Sequence, residues 1–172
     1  MRLPISSTDS IRGVLMTRAE PVARRSASAR ARRPPSTSTS ISDRPSSAEL
    51  DFTAALLREV RLLVAREARQ TRLSGSRCED LVLAIDELAT NSVTHGGGSG
   101  TLTVWRDEDA IACEVRDSGH IDDPLVGLRP PDPEQLSGRG LWVVSRLCDH
   151  VQISSSPGRT LVRVQMTVRA RG

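Results

Sequence analysis

Between Ser76 and Gly98 the chain has a stretch whose spacing allows one regular structure, a helix with two unlike faces. Leu81, Val82, Ile85, Leu88, Ala89 and Val93 recur at the interval of a single helix face. Glu87, Asn91 and His95 stand four residues apart and line up along a different face. Ser76 followed by Glu79 reads as a capping box that starts the helix, and Gly96, Gly97 and Gly98 end it. One stripe holds a core. The other presents a carboxylate, an amide and an imidazole. A lone Glu/Asn pair on a helix is most often a solvated polar face, so its meaning depends on the rest of the chain.

Two further signatures stand after it, in order. Ile111, Cys113 and Val115 alternate with Ala112, Glu114 and Arg116, as in a strand with two unlike faces. Asp117-Ser-Gly119 closes that strand. A carboxylate at a strand end can accept a hydrogen bond from an exocyclic amine, and Gly119 leaves room for a flat base against the backbone. Taken alone, Asp-Ser-Gly is an ordinary turn. The third signature, Gly138-Arg-Gly140, opens the apolar stretch Leu141, Val143, Val144, Leu147 and Cys148, which reads as a short helix. Glycines before a helix leave backbone amides pointing at an anion, and the helix dipole adds attraction. The motif is not a P-loop, because no Gly-Lys-Ser/Thr comes after it. It is not a dinucleotide fingerprint, because the third glycine is missing.

The three signatures together carry more than each alone. The runs Leu83-Ala-Ile-Asp-Glu-Leu-Ala-Thr-Asn-Ser-Val-Thr-His95, Val115-Arg-Asp-Ser-Gly119 and Gly138-Arg-Gly-Leu-Trp-Val-Val144 are followed by Pro157-Gly-Arg-Thr160 before a last strand. In these runs, residues Ala48 to Val168 resemble the Bergerat-type, histidine-kinase-like ATPase superfamily. Within it they look most like the bacterial anti-sigma-factor serine/threonine kinase branch.

That resemblance implies ATP and Mg2+ as ligands. It implies that Asn91 ligates the metal, that Glu87 is the base in phosphoryl transfer, and that Asp117 reads adenine with Gly119 beside it. It further implies that Gly138 and Gly140 lie near the phosphates and that Thr160 supports the adenine from the sheet. His95 sits where histidine is common in the branch, and a satisfied helix-end residue accounts for it. The implied partners are proteins: an anti-sigma-factor antagonist, a sigma factor, or both. A homodimer stays open. Two other readings stay open beside the kinase, an ATP-bound anti-sigma or adaptor module without transfer, and a detached catalytic piece of a sensor histidine kinase. The implied location is the cytoplasm.

The expected fold is an α/β two-layer sandwich with helices on one face of a mixed sheet. Leu56, Leu57, Val60, Leu63, Val64 and Ala68 mark a first helix. Hairpins are expected around Asp107–Asp109 and Pro157–Gly158, and Leu50–Phe52 is expected as an edge strand. The segment from His120 to Ser137 holds four prolines and reads as a lid over the nucleotide.

Composition divides the chain in two. Residues 1–47 carry nine arginines and three acids, a net charge of +6, with few large apolar residues. Residues 48–172 carry fifteen arginines and eighteen acids, a net charge of −3. The first part is expected to be a disordered Arg/Ser/Pro-rich tail and the second a single domain. The basic balance therefore belongs to the tail. No lysine or tyrosine occurs, and the scarcity of aromatic residues argues against a stacking surface for single-stranded nucleic acid. No apolar run is long enough to span a membrane. Cys78, Cys113 and Cys148 each fall on an apolar stripe and read as small core residues.

Overall fold

Alternate residues of the central strands are large and apolar, which gives the sheet one face that carries the core. Leu102 and Val104, Ile111, Cys113 and Val115, and Val162, Val164 and Met166 are all fully or nearly fully buried. They meet the apolar stripe of one long helix, where Leu81, Ala84, Ile85, Leu88 and Ala89 are equally enclosed.

The computed structural model describes residues 13–17, 47–122 and 139–168. In chain order the elements are β1 (Gly13–Thr17), β2 (Ser47–Thr53), α1 (Leu57–Ala68), α2 (Gly75–His95), β3 (Ser99–Arg106), β4 (Ala110–Asp117), α3 (Gly140–Leu147), β5 (His150–Ser156) and β6 (Arg159–Thr167). The strands form one sheet in the order β1-β5-β6-β4-β3-β2. The three helices supply the second layer, so the expected α/β sandwich is present.

The sheet is antiparallel at every described pairing, not mixed as the sequence reading held. Tight turns account for the β3–β4 and β5–β6 pairings, since only antiparallel neighbours can be joined by hairpins. Asp107 Oδ1 accepts the backbone N–H groups of Asp109 and Ala110 at 2.9 and 2.7 Å, closing the β3–β4 turn. Gly158, at φ +78°, turns β5 into β6. Residues 50–52 fall in β2, an edge strand as expected.

At the other edge the expectation of an unstructured tail fails in part. Gly13–Thr17 pairs with His150–Ser154 as β1. Val14, Leu15 and Met16 are adjacent apolar residues in a stretch otherwise dominated by arginine and serine, and an exposed strand edge accepts such a segment through backbone bonds alone. Residues 1–12 and 18–46 lie outside the described residues.

Two ion pairs hold the helices in place. Glu67 on α1 is almost fully buried and accepts from Arg106 on β3 at 2.7 Å and from Arg66 at 3.0 Å. The Arg106 hydrogen bond holds its carboxyl below the ordinary value against the opposing effect of burial, with Arg66 adding to the depression. Arg77 in the first turn of α2 donates to the Leu147 carbonyl at 3.1 Å and to Asp149 at 2.5 Å, tying the end of α3 to α2. The start of α2 is two residues earlier than the Ser76–Glu79 pattern suggests. Ser74 is the cap and accepts from Arg77 N at 3.4 Å, while Ser76 bonds the Ser74 hydroxyl instead.

The cysteines sit as expected in or against the core. Cys113 and Cys148 are buried and Cys78 is half-buried. Burial drives the Cys113 thiol far up and pushes Cys148 up to about 12, so both stay protonated and unreactive. Glu114 is less expected. It lies on the sheet face away from the core, yet it is buried there under Arg116 and Arg163, both of which donate to it at 2.8 Å. The Arg163 guanidinium in turn lies 5.5 Å over the Trp105 ring.

Candidate functional site

The polar stripe of α2 runs along the flank of the sheet toward the end of β4. Glu87 and Asn91 occupy successive turns and both meet the first residue of α3. An ideal Cβ placed on Gly140 would lie 2.9 Å from Glu87 Oε2 and 2.9 Å from Asn91 Nδ2. A side chain at this position would displace the ends of Glu87 and Asn91. No side chain caps the start of α3, so its first-turn amides keep the partial positive charge of a helix N-terminus.

The residue after Asn91, Ser92, faces the end of β4. Its hydroxyl lies 2.6 Å from Asp117 Oδ2 and 3.1 Å from the Leu88 carbonyl. The shorter, charge-assisted contact takes the single proton. Asp117 Oδ1 accepts from Gly119 N at 2.8 Å. Each carboxylate oxygen thus has one fixed donor and keeps a lone pair for another. The backbone is crowded here. A Cβ on Gly119 would stand 2.9 Å from Gly96 Cα and 3.0 Å from the His95 carbonyl. Ser118 N donates to the Gly96 carbonyl at 3.1 Å and fastens the end of β4 to the end of α2.

The sheet register places three polar residues side by side at this end. Thr160 on β6 pairs with Asp117 on β4 and with Ser155 on β5. Period-2 alternation puts all three on the face that carries the core. Thr160 is buried, and its hydroxyl lies 2.9 Å from Ser155 Oγ.

A cavity of ≈ 120 Å³ opens between these elements, lined by Asn91, His95, Asp117, Gly119, Leu141 and Thr160 among others. Val115, Val162 and Leu88 give it apolar walls. An apolar slot with a few convergent polar groups is the usual form of a small-molecule site. A larger hollow of ≈ 570 Å³ lies between α1 and α2, lined by Leu73, Cys78, Val82 and Leu83, and is not lined by Glu87, Asn91, Asp117, Gly119, Gly140 or Thr160.

A description of the histidine kinase-like ATPase domain matches residues 50–166. The chain belongs to that family. Curated relatives of the ATPase domain bear two kinds of name. A serine-protein kinase RsbW of Bacillus licheniformis is 32% identical over 126 residues, which are 65% of this chain and 79% of that protein. An anti-sigma F factor of a Thermoanaerobacter species is 30% identical over 128 residues, 67% of this chain and 90% of that protein.

Solved structures share the fold of the ATPase domain. The RsbU and RsbW domains from Mycobacterium tuberculosis superpose with a TM-score of 0.53 at 18% identity, over 73% of this chain and 34% of that longer one. A chain of the SiaB–SiaC complex from Pseudomonas aeruginosa superposes with a TM-score of 0.53 at 18% identity, over 68% of this chain and 88% of that one.

The structure therefore brings Glu87, Asn91 and Gly140 together at one end of the site and Asp117, Gly119 and Thr160 at the other, with Asn91 reaching both. Gly138 and residues 123–137 of the expected lid lie outside the described residues. The sequence reading missed Ser92, Ser155 and His120. Ser92 had a signal, since a hydroxyl four residues after Leu88 interrupts the apolar stripe. Ser155 and His120 had none, because only the fold brings them beside Thr160.

Proposed function

We propose that this ATPase domain binds ATP with Mg2+ and transfers the γ-phosphoryl group to a serine or threonine of a protein antagonist of an anti-sigma factor, and so governs a sigma factor. The meeting of Glu87, Asn91 and the amide-rich start of α3 supports this most directly. It sets a carboxylate, a metal-suited oxygen and an anion-suited helix end around one point.

In this reading the adenine enters the ≈ 120 Å³ cavity, where Asp117 accepts from its amino group and Thr160 faces the adjoining edge. Gly119 lets the base lie against the backbone. Gly140, with Gly138 before it, leaves the phosphates access to main-chain amides. Mg2+ takes few protein oxygens and keeps water and phosphate oxygens for the rest. The side-chain oxygen of Asn91 fits that pattern. The ion supplies charge neutralisation on the phosphates. Glu87 takes the proton of the attacking hydroxyl as the new O–P bond forms and the bond from the γ-phosphorus to the ADP oxygen breaks.

The relatives' names support a kinase and an anti-sigma role equally. A transfer assay separates them: purified protein, labelled ATP, and antagonist proteins encoded beside its gene. Label on an antagonist serine, lost in Glu87→Ala, is the expected result. Tight ATP binding with no labelled antagonist would make the domain a nucleotide-dependent binder instead.

A further inference from the structure

Thr160 reaches the cavity as the middle member of the Asp117–Thr160–Ser155 row, and its hydroxyl is not free to choose a direction. Ser155 Oγ accepts the backbone N–H of Ile121 at 2.8 Å. It also lies 2.9 Å from Thr160 Oγ1 and 3.3 Å from His120 Nδ1. A serine hydroxyl has one proton and two lone pairs. Ile121 uses one lone pair. One proton and one lone pair remain for two neighbours, so one neighbour donates to Ser155 and the other accepts from it.

The second nitrogen of His120 decides which. Nε2 stands 3.0 Å from Asp122 Oδ1, and a carboxylate only accepts, so Nε2 carries a proton. In the neutral ring Nδ1 is then bare. Ser155 donates to His120, Thr160 donates to Ser155, and Thr160 turns lone pairs toward the cavity. In the charged ring Nδ1 also carries a proton. His120 donates to Ser155, Ser155 donates to Thr160, and the Thr160 proton is released toward the cavity.

We infer that His120 and Ser155 form a relay that sets whether Thr160 accepts from or donates to the bound nucleobase, so that recognition of the base follows the protonation of His120. The inference rests on the nucleotide reading above. Asp117 accepts from the adenine amine. The neighbouring ring atom of adenine, N1, is an acceptor and calls for a donor. Thr160 supplies that donor when His120 is charged. His120 and Ser155 act through Thr160 and are positioning residues. Among the described residues, Asp122 on its own segment contacts His120, and Asp117 at the end of β4 and His95 at the end of α2 are the titratable groups that line the cavity with it. Those parts of α3, β5 and β6 that line the cavity add none.

The test compares dissociation constants for ATP and for 1-deaza-ATP, in which N1 is replaced by C–H, by calorimetry with magnesium between about pH 5 and 8, where histidine changes charge. Both ligands share one triphosphate, so their ratio is blind to phosphate protonation. In the wild type the preference for ATP should grow about three- to tenfold on acidification, the worth of one hydrogen bond. His120→Gln and Ser155→Ala should each flatten that rise, Ser155→Thr should restore it, and His95→Gln should keep it. His120 is solvent-exposed, so its replacement leaves the core untouched. A ratio flat with pH in the wild type, a rise that survives in Ser155→Ala, or a rise lost in His95→Gln overturns the relay while ATP binding stands. Failure to bind ATP at any pH overturns the nucleotide reading, and the relay with it.

Discussion

Gly140 and Asn91 are in contact: the first residue of α3 comes so near α2 that a Cβ there would stand 2.9 Å from the Asn91 amide nitrogen. Gly140→Ala must therefore displace the ends of the Asn91 and Glu87 side chains from their present positions. A displacement of about 1 Å at such a point costs on the order of a hundredfold in rate. Transfer kinetics should show that loss with the melting temperature little changed. An Ala variant of wild-type activity would mean that the contact has no role in the reaction.

In the proposed function Glu87 and Asn91 share a stripe but not a task. Asn91→Ala should abolish the magnesium dependence of ATP binding and with it transfer. Glu87→Ala should bind ATP as the wild type does and transfer phosphate about a hundredfold more slowly, the usual worth of a positioned base. Calorimetry with and without magnesium, run beside the labelling assay, separates the two. Equal rates for Glu87→Ala and wild type would leave Glu87 a solvated helix residue.

Asp117 holds Ser92 and Gly119 as well as facing the cavity. Asp117→Asn should lose most of the preference for ATP over GTP. A site built around such a hydrogen bond rejects the wrong group strongly. The variant should also melt a few degrees lower, because the contact to Ser92 loses its charge. GTP bound as tightly as ATP by the wild type would contradict the assignment.

Glu67 links stability to pH. Arg106 and Arg66 depress its carboxyl below the unfolded value of 4.5. The contribution is fully present above that unfolded value and is lost as the pH falls through the lower folded one. Glu67→Gln should therefore melt lower than wild type at neutral pH, and the gap should close in acid. Denaturation curves across the acid range that stay parallel would rule this out.

Cysteine accessibility offers a check on the core. In the native protein iodoacetamide should modify Cys78, slowly because burial raises its thiol, while Cys113 and Cys148 stay unmodified until the chain unfolds. Peptide mapping before and after denaturant reads this directly. Native modification of Cys113 would mean that the β4 core is open.

Helix and strand periods along the chain determined the elements. The stripe from Leu81 to Val93, the alternation from Ile111 to Val115 and the turns at Asp107–Asp109 and Pro157–Gly158 are local patterns, and local patterns survive in one dimension. The candidate site residues Glu87, Asn91, Asp117 and Thr160 were singled out for a different reason: their motifs resemble those of a family in which such residues sit together. Tertiary structure alone decided the strand directions outside the two hairpins, the pairing of residues 13–17 with β5, the burial of Glu114 under two arginines, and the approach of Gly140 to Asn91. It alone placed Ser92 on Asp117 and Ser155 between Thr160 and His120. The physical reason is range. A period is a property of neighbours along the chain, whereas a hydrogen bond between hydroxyls on different strands depends on register, and register is settled only when the whole sheet closes on its core.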